Sequence, residues 1–357
     1  MTAENQEIKL KNIGWGFGIC NMKCRTCYSA ACKKAREYSF LELKIAADKL
    51  CHVIRSINYG TGEFIFNPHV TNLAEYIASC YPRIEQAVTS NGTTIILLGH
   101  ERLKRLFHDI DISIDFPNPE KHNEMRRHPK AWQWSMQSLQ ICREARIETS
   151  IVTCITSKTR DEDIMDFLEL ASKYGTSWRC SWFRQKGRGK SDLRILAPRF
   201  WQIIKLLSKH AIFEDLSEPI LQGMFGQEIE RPGCNCGRAS CRIQSNGLVA
   251  PCTFLGGPEW SAGSLLEQSV EEIYQSQPFA KLRARDVPFC HDCRYYPKCQ
   301  GGCASRAVLH SGGLDLPDDF CPIYNKVEVD INPGDIKVIK TNKVHSEYLC
   351  TTIVHPK

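Results

Sequence analysis

The chain has 357 residues, of which 42% are hydrophobic and 24% charged, a composition typical of a globular protein with one large domain and a smaller one. No apolar run approaches the ~18 residues that span a bilayer, and the stretch from Met1 to Lys11 lacks the apolar core of a secretion signal, so we expect a soluble, cytoplasmic protein. The net charge of +6 comes from scattered Lys and Arg, which gives little indication of nucleic-acid binding.

From Ile8 to about Ile212, short β-branched runs alternate with longer amphipathic stretches, which predicts βα units around a parallel sheet. The predicted strands are Ile8–Trp15, Ser56–Tyr59, Gln86–Thr89, Ile110–Asp115, Glu148–Thr153 and Ser177–Phe183. The predicted helices are Leu41–Ile54, Val70–Tyr81, Trp132–Ala145, Asp161–Tyr174 and Pro198–His210. In such a fold, reactive side chains lie at the carboxyl ends of the strands.

Three cysteines, Cys20, Cys24 and Cys27, follow the first predicted strand with the spacing C-x3-C-x2-C. The chain has 19 cysteines without a secretion signal, which favours metal or cluster ligation over disulfides. Three thiols on one short loop suit three irons of a cubane cluster and leave the fourth iron open. A structural zinc site or a ferredoxin cluster takes a fourth protein ligand. Chance spacing in a cysteine-rich chain is the alternative.

In its setting between a strand and a helix, this loop resembles that of the radical S-adenosylmethionine (radical SAM) enzymes. In that family the loop holds a [4Fe-4S] cluster, whose open iron takes the amino and carboxylate groups of S-adenosylmethionine. Tyr28 matches the aromatic that follows the third cysteine. Gly60, Gly62 and Glu63 resemble the family's Gly-Gly-Glu strand end, which receives the methionine amino group, although Thr61 replaces the middle glycine.

Two further strand ends carry polar residues. Asn91 lies in a Ser-Asn-Gly turn that resembles the family's Thr-Asn-Gly turn after the third strand. Ser113 and Asp115 end the fourth strand, with His122 and Arg126 beyond them. The resemblance implies that Asp115, His122 and Arg126 contact the cofactor's ribose or position the substrate. It also implies that Asn91 and Ser113 bind the cofactor. The alternative is a structural pair of Asp115 and Arg126, with His122 capping a helix.

Beyond Glu218, cysteine and glycine become dense and the periodicity fades, which predicts a small domain held together by metal. From Gly247 onward the spacing matches the cysteine signature of the SPASM extension, which a subset of radical SAM enzymes carries. By that resemblance the region holds two auxiliary [4Fe-4S] clusters, making three in all. One of these clusters takes Cys290, Cys293, Cys299 and Cys321.

The ligands of the other auxiliary cluster are less clearly indicated. By the resemblance it takes Cys252, Cys303 and two of the three cysteines near residue 236. We choose Cys236 and Cys241, with Cys234 as a replacement or a free thiol. A pair of zinc ribbons is the alternative for the whole region, because C-x2-C pairs also suit tetrahedral zinc.

The remaining cysteines are expected to be packing residues. They are Cys32, Cys51, Cys80, Cys142, Cys154, Cys180 and Cys350. Of these, Cys154 and Cys180 lie at or near strand ends and are candidates for donating a hydrogen atom. The basic stretch from Arg184 to Lys190 is a candidate for binding a carboxylate or phosphate.

Two alternating stretches, Lys326–Ile331 and Ile336–Lys340, flank an Asn-Pro-Gly-Asp turn and predict a β-hairpin. We expect it to cover the cysteine-rich domain, or else to pair with an extended peptide by strand addition. The predicted fold is therefore α/β. It comprises a partial (β/α)6 radical SAM barrel (residues 1–217), a SPASM iron-sulfur domain (218–325) and a C-terminal β-hairpin extension (326–357).

By resemblance, the chain is an enzyme that cleaves S-adenosylmethionine reductively to a 5′-deoxyadenosyl radical, which takes a hydrogen atom from a substrate C–H bond. No side chain is identified as the catalytic residue. The favoured substrate is a ribosomally synthesised precursor peptide, which would be modified by cross-linking, epimerisation or backbone excision. A short N-terminus implies a separate leader-binding partner protein or a role for the hairpin, and reduction requires a donor such as flavodoxin or ferredoxin.

Two other functions remain open. One is a radical epimerase, dehydrogenase or decarboxylase of a sugar- or nucleoside-derived metabolite, whose carboxylate or phosphate the stretch from Arg184 to Lys190 would bind. The other is an iron-sulfur or zinc protein that only carries electrons or binds partners. Cleavage of S-adenosylmethionine separates this last possibility from the two enzymes.

Overall fold

The computed structural model describes residues 7–32, 36–214, 216–226, 232–346 and 348–357. Its strands are β1 (Asn12–Trp15), β2 (Ser56–Tyr59), β3 (Glu85–Ser90), β4 (Asp109–Ser113), β5 (Glu148–Ile155), β6 (Ser177–Trp182), β7 (Ala211–Glu214), β8 (Ser240–Ile243), β9 (Val249–Ala250), β10 (Val338–Ile339) and β11 (Thr352–Pro356).

The longer helices belong to the first two thirds of the chain, whereas those after residue 218 have at most seven residues among the described ranges. The helices are α1 (Phe40–Leu50), α2 (Val70–Cys80), α3 (Thr93–Leu98), α4 (His100–Leu106), α5 (Pro119–Arg126), α6 (Ala131–Ala145), α7 (Asp161–Tyr174), α8 (Ala197–His210), α9 (Pro219–Phe225), α10 (Val270–Gln275), α11 (Gln277–Arg283), α12 (Tyr296–Cys299) and α13 (Ala304–Arg306). No helix within the described ranges is long and apolar enough to cross a bilayer.

Strands β1 to β6 lie side by side in chain order, and neighbouring strands are parallel. The helices that connect them pack their apolar faces against the sheet, as in a βα barrel. The prediction of a partial six-stranded barrel is confirmed. The observed bounds differ from the predicted ones by a few residues, chiefly in β1, which begins at Asn12 rather than Ile8.

The barrel strands alternate between apolar side chains that pack under the helices and polar side chains that face the interior. In β4, Ile110 and Ile112 belong to the hydrophobic core, whereas Asp109 and Asp111 contact a segment inside the barrel. Successive side chains of a strand point to opposite faces, so this alternation gives each strand one apolar and one polar surface. The interior of the barrel is therefore polar.

Both open edges of the six-stranded sheet are extended by later parts of the chain. β8, from the cysteine-rich region, pairs in parallel with β1. β11, close to the C-terminus, pairs antiparallel with β6 on one side and with β7 on the other. Since unpaired strand edges are prone to association, these additions also protect the barrel.

The predicted C-terminal hairpin is wrong. Residues 326–331 form no strand, and β10 pairs in parallel with β7 instead. The alternating apolar residues Val327, Val329 and Ile331 pack against the main hydrophobic core, so their burial does not require a partner strand. The alternation thus marks one apolar face, which contacts the hydrophobic core and does not pair with a neighbouring strand.

After β10, the chain enters the barrel as residues 343–346 and 348–349, which we call the lumen segment. Lys343 Nζ lies 2.6 Å from a carboxylate oxygen of Glu214, and both side chains are buried. His345, fully buried, pairs through Nδ1 with Asp109. The lumen segment thus compensates acidic groups inside the barrel before the chain continues into β11.

We expect the substitution Lys343→Met to lower the free energy of unfolding by about 3 kcal/mol or more, because it leaves the carboxylate of Glu214 buried without its main cation. The matched control is Lys205→Met, which removes an exposed pair with Asp330 and is expected to cost less than about 1 kcal/mol. Thermal unfolding followed by circular dichroism compares the two variants. Equal midpoints would contradict a stabilising role for the lumen segment.

Candidate active site

A cavity of about 190 Å³ lies at the carboxyl ends of the barrel strands. It is bounded by the cysteine loop after β1, by the ends of β2 to β6, and by Arg242 of β8. The predicted site residues that line it are Cys20, Cys24, Cys27, Tyr28, Gly60, Gly62, Glu63, Asn91, Ser113, Asp115 and Arg126. The fold therefore brings these predicted residues of the barrel site to one cavity.

The cysteine loop is closed by its own backbone. The Cys20 amide donates to the Cys32 carbonyl at 2.9 Å, and the Cys32 amide donates to the Gly18 carbonyl at 3.0 Å. The loop is also fastened to the end of β2, because the Glu63 amide donates to the Ile19 carbonyl at 2.7 Å. These bonds fix the loop that presents Cys20, Cys24 and Cys27 to the cavity.

Cys24 lies beside a buried ion pair. Arg126 Nε is 2.9 Å from Asp115 Oδ2, and Arg126 Nη1 is 3.8 Å from Cys24 Sγ. Burial raises the pKa of the Cys24 thiol, whereas the positive charge of Arg126 lowers it. The guanidinium thus favours the thiolate, which is the form that binds iron.

His122 is held in a structural position behind this pair. Its Nδ1 accepts the backbone N–H of Asp115 at 3.0 Å, and the ring is fully buried. Burial and the charge of Arg126 lower the pKa of His122 to about 2, so the ring is neutral. The alternative of a structural Asp115–Arg126 pair agrees with this geometry, and His122 braces the end of β4 rather than facing the cavity.

Glu63 is tied to the turn that follows β3. Its carboxylate accepts the Ser90 hydroxyl at 2.6 Å, the Asn91 amide at 2.8 Å and the Thr94 amide at 2.9 Å. Burial raises the pKa of Glu63, and these hydrogen bonds oppose the rise. Glu63 therefore fixes the start of α3, in addition to its expected role of receiving an ammonium group.

The residues that follow β2 adopt a backbone conformation with positive φ, which usually requires glycine. Thr61 has φ of 78° and Gly62 has φ of 87°. A β-carbon on Gly62 would lie 2.4 Å from the Ile19 carbonyl oxygen, so glycine is needed there. A β-branched residue at positive φ is unusual, and the Thr61 hydroxyl contacts both the Tyr28 hydroxyl, at 2.9 Å, and Arg242.

Arg242 and Tyr348 are site residues that the sequence did not indicate. Arg242 extends from β8 into the cavity, where it donates to the Gly60 carbonyl and to the Tyr348 hydroxyl, the latter at 3.0 Å. Burial raises the pKa of Tyr348 to about 12, so its hydroxyl remains protonated. The signal for Arg242 in the sequence was its position as an arginine between apolar residues in a short strand.

The basic stretch from Arg184 to Lys190 covers the cysteine loop instead of forming a free anion site. Arg188 donates to the Cys24 carbonyl at 3.0 Å and to the Ala31 carbonyl at 2.9 Å. A β-carbon on Gly187 would lie 2.4 Å from the Cys27 carbonyl oxygen, so the stretch packs directly on the loop. Its arginines are thus used to hold the protein together.

Arg179 of β6 has unused hydrogen-bonding capacity at the cavity. Its Nη2 pairs with Asp111, but Nε and Nη1 have no partner among the described residues. The side chain is buried and lines the cavity. Buried donors without partners are costly, so this guanidinium is suited to an anionic or carbonyl group of a ligand.

The two candidate hydrogen-atom donors lie on opposite faces of the sheet. Cys154 lines the cavity, and burial raises the pKa of its thiol, which keeps it protonated. Cys180 is packed in the hydrophobic core under the helices. Only Cys154 of this pair faces the cavity.

A second, smaller cavity of about 30 Å³ lies in the cysteine-rich region. The thiols that line it are those of Cys290, Cys293, Cys299 and Cys321. Within the described part of the chain, no three Cys, His, Asp or Glu side chains are arranged to hold a single metal ion. Four cysteines around a cavity suit a cubane cluster, which takes four thiolates, better than they suit a zinc ribbon.

The other auxiliary group differs from the predicted one. Cys234, Cys236 and Cys252 pack in one cluster of side chains, and Arg184 Nη2 lies 3.3 Å from Cys303 Sγ while it donates to the Cys350 carbonyl at 3.2 Å. The sulfurs of Cys234 and Cys350 are 3.6 Å apart.

The choice of Cys241 is wrong in this geometry. Its neighbour in β8, Arg242, points into the main cavity, so Cys241 points to the opposite face and is buried in the barrel's hydrophobic core. Cys350, expected to be a packing residue, belongs to the group instead. Its position 116 residues after Cys234 gave no sequence signal of this contact.

Comparison with known proteins supports the two-part organisation. A family model described as the radical SAM superfamily matches residues 16–171, and one described as an iron-sulfur cluster-binding domain, SPASM, matches residues 234–300. Both matches include cysteines of the groups described above.

Among curated proteins, the mycofactocin maturase MftC of Mycobacterium tuberculosis (strain ATCC 25618 / H37Rv) is 26% identical over 318 residues, covering 85% of this chain and 80% of the maturase. The AdoMet-dependent heme synthase of Methanosarcina barkeri is 27% identical over 336 residues, covering 85% and 93% respectively. The structure of Streptococcus suis SuiB bound to precursor peptide SuiA superposes with a TM-score of 0.68 at 16% identity, covering 87% of this chain and 75% of SuiB.

We expect Gly62→Ala to displace the cysteine loop, because the new β-carbon meets the Ile19 carbonyl. The variant should therefore bind less iron than the parent protein after anaerobic reconstitution. Gly175→Ala is the matched control, since Gly175 also has positive φ, of 62°, but has open space around it. Iron and sulfide assays on both variants make the comparison. An unchanged iron content in Gly62→Ala would contradict the fastening of the loop to β2.

Proposed function

The chain is a radical SAM enzyme with a SPASM iron-sulfur domain, and we propose that it modifies a ribosomally synthesised precursor peptide. The observation that carries the proposal is the single cavity at which the three loop thiols meet the polar ends of β2 to β4. Similarity to a maturase over 85% of the chain supports a peptide as substrate, as does the shared fold with SuiB, which was solved with a precursor peptide.

The residues of the cavity suit the cofactors of this chemistry. Cys20, Cys24 and Cys27 would hold a [4Fe-4S] cluster, and the acidic and glycine-rich strand ends would bind S-adenosylmethionine at its open iron. Together these groups supply a 5′-deoxyadenosyl radical that takes a hydrogen atom from a substrate C–H bond. Tyr28, Asn91 and Ser113 would position the cofactor.

Two auxiliary [4Fe-4S] clusters complete the proposed set of three. Cys290, Cys293, Cys299 and Cys321 would hold the outer cluster. The group around Cys234 would hold the inner one, which is closer to the barrel because Arg184, a residue that lines the main cavity, donates to Cys303 Sγ at 3.3 Å. This order suits passage of an electron between the active site and the exterior.

Large, mostly apolar side chains form part of the cavity wall. Trp182, Phe183, Phe254 and Leu349 line it together with Tyr348 of the lumen segment. Such a wall protects a reactive intermediate from solvent.

Because Arg179 has donors without partners among the described residues, we expect the part of the substrate that enters the cavity to carry an acidic or carbonyl group. A peptide fulfils this requirement through its carbonyls, an acidic side chain or a carboxylate terminus.

We also propose partners for leader recognition and for reduction. We propose a separate leader-binding protein, because the predicted hairpin that offered an open strand edge is not formed. For reduction we propose flavodoxin or ferredoxin. Phe289 and Tyr324, exposed and in edge-to-face contact at 5.2 Å beside the outer cysteines, offer an apolar contact for such a donor.

The second candidate is a radical epimerase, dehydrogenase or decarboxylase of a sugar- or nucleoside-derived metabolite. Similarity to a heme synthase supports action on a small molecule. The main argument for this candidate from the sequence was the stretch from Arg184 to Lys190. Arg184 and Arg188 are engaged within the protein, which weakens this argument, whereas Arg179 has donors without partners among the described residues.

We expect anaerobically reconstituted protein with S-adenosylmethionine and a strong reductant to form 5′-deoxyadenosine, and Cys24→Ala to abolish its formation while losing about one third of the iron, one cluster of three. Cys80→Ala removes an exposed cysteine outside all the groups and is expected to behave as the parent protein. Liquid chromatography of the products and iron assays provide both readouts. Cleavage by Cys24→Ala equal to that of the control would overturn the assignment of the loop.

The substrate class is tested by adding candidate precursor peptides, or sugar and nucleoside metabolites, to the same assay. We expect a peptide to raise 5′-deoxyadenosine formation and to change in mass, because a filled cavity couples cleavage to hydrogen transfer. Stimulation by the metabolites alone would favour the second candidate.

A further inference from the structure

Five thiols surround the inner auxiliary site, although a [4Fe-4S] cluster takes four. Cys234, Cys236 and Cys252 pack in one cluster of side chains, and the sulfur of Cys350 is in contact with that of Cys234. Cys303 joins the group because Arg184 Nη2 lies 3.3 Å from its sulfur and donates to the Cys350 carbonyl. All five side chains are buried or partly buried. The group therefore contains one thiol more than such a cluster needs.

Cys234 and Cys350 occupy the same corner of this group. Their sulfurs are 3.6 Å apart, which places them in contact. Each iron of a cubane takes one protein ligand, and ligands of different irons lie on different sides of the cluster. Two sulfurs in contact therefore face one iron, where only one of them binds at a time.

Cys350 is held by the barrel rather than by the cysteine-rich region. Its carbonyl accepts from Arg184 Nη2 at 3.2 Å, and the same nitrogen lies 3.3 Å from Cys303 Sγ. It stands two residues before β11, which is paired on both edges. The thiol of Cys350 is thus fixed by the sheet and by an arginine that also contacts another member of the group.

We propose that Cys350 is a ligand of the inner auxiliary cluster and shares one iron with Cys234, so that either thiol completes the site. The exchange is a substitution, in which the departing thiolate takes up the proton that the incoming thiol releases and no electron is transferred. Cys234 attaches the cluster to the cysteine-rich region, whereas Cys350 attaches it to the last strand of the barrel. The inference rests on the auxiliary cluster of the proposed function.

The test uses reconstituted full-length protein with the substitutions Cys234→Ala, Cys350→Ala and the two combined. The matched control is Cys241→Ala, which removes a buried thiol outside the group. The readouts are iron and sulfide per chain and the electron paramagnetic resonance spectrum of the reduced protein. The outer cluster and the loop cluster serve as internal references, because none of these substitutions touches their cysteines.

We expect both single variants to keep the iron content of the control. We expect the double variant to differ from Cys234→Ala, because the inner cluster has then lost a ligand. The difference would be a loss of about one third of the iron or an altered resonance of the inner cluster. The proposal is overturned if Cys234→Ala alone loses the inner cluster. It is also overturned if the double variant and Cys234→Ala have the same iron content and the same spectrum.

These outcomes are separate from those of the proposed function. Neither readout requires a substrate or turnover, so a failure to act on any peptide leaves the ligand assignment intact. Conversely, if the inner cluster is lost in Cys234→Ala while the parent protein cleaves S-adenosylmethionine, the ligand assignment fails and the enzyme assignment remains.

Discussion

Acidic side chains buried inside the barrel need positively charged partners, and the path of the C-terminal part of the chain meets this need. Asp109 and Glu214 face the interior, where an unpaired carboxylate would be costly. Their partners, His345 and Lys343, come from the lumen segment near the C-terminus. The same segment places Tyr348 at the cavity. The part of the chain that neutralises the acidic interior of the barrel therefore also helps to build the site.

Arginines connect the barrel to the two groups of cysteines. Arg126 lies beside Cys24, Arg184 beside Cys303, and Arg188 holds the backbone of the cysteine loop. Positive charge near a thiol favours the thiolate, so the same side chains that join the parts also suit them to bind iron. Arg179 is the exception, because part of its guanidinium has no partner among the described residues and faces the cavity.

The features predicted well from the sequence are local ones. The spacing of the loop cysteines and the alternating βα pattern depend on residues close together in the chain, and six parallel strands follow from that pattern. The features missed depend on long-range contacts. Cys350 joins a thiol 116 residues away, Arg242 enters the cavity from a strand added to the edge of the barrel, and the alternation at Val327 to Ile331 marks packing on the core rather than strand pairing.

The lumen segment and β11 follow, in sequence, every barrel strand they contact. A ribosome that releases its product from the N-terminus onward exposes β1 to β6 while their acidic interior and the open edge of β6 still face water. The barrel therefore closes only after the lumen segment and β11 have been made. Cluster-loading proteins would thus meet an open barrel during synthesis, with its cysteine loop accessible, and the last strand would seal the interior after the metal has entered.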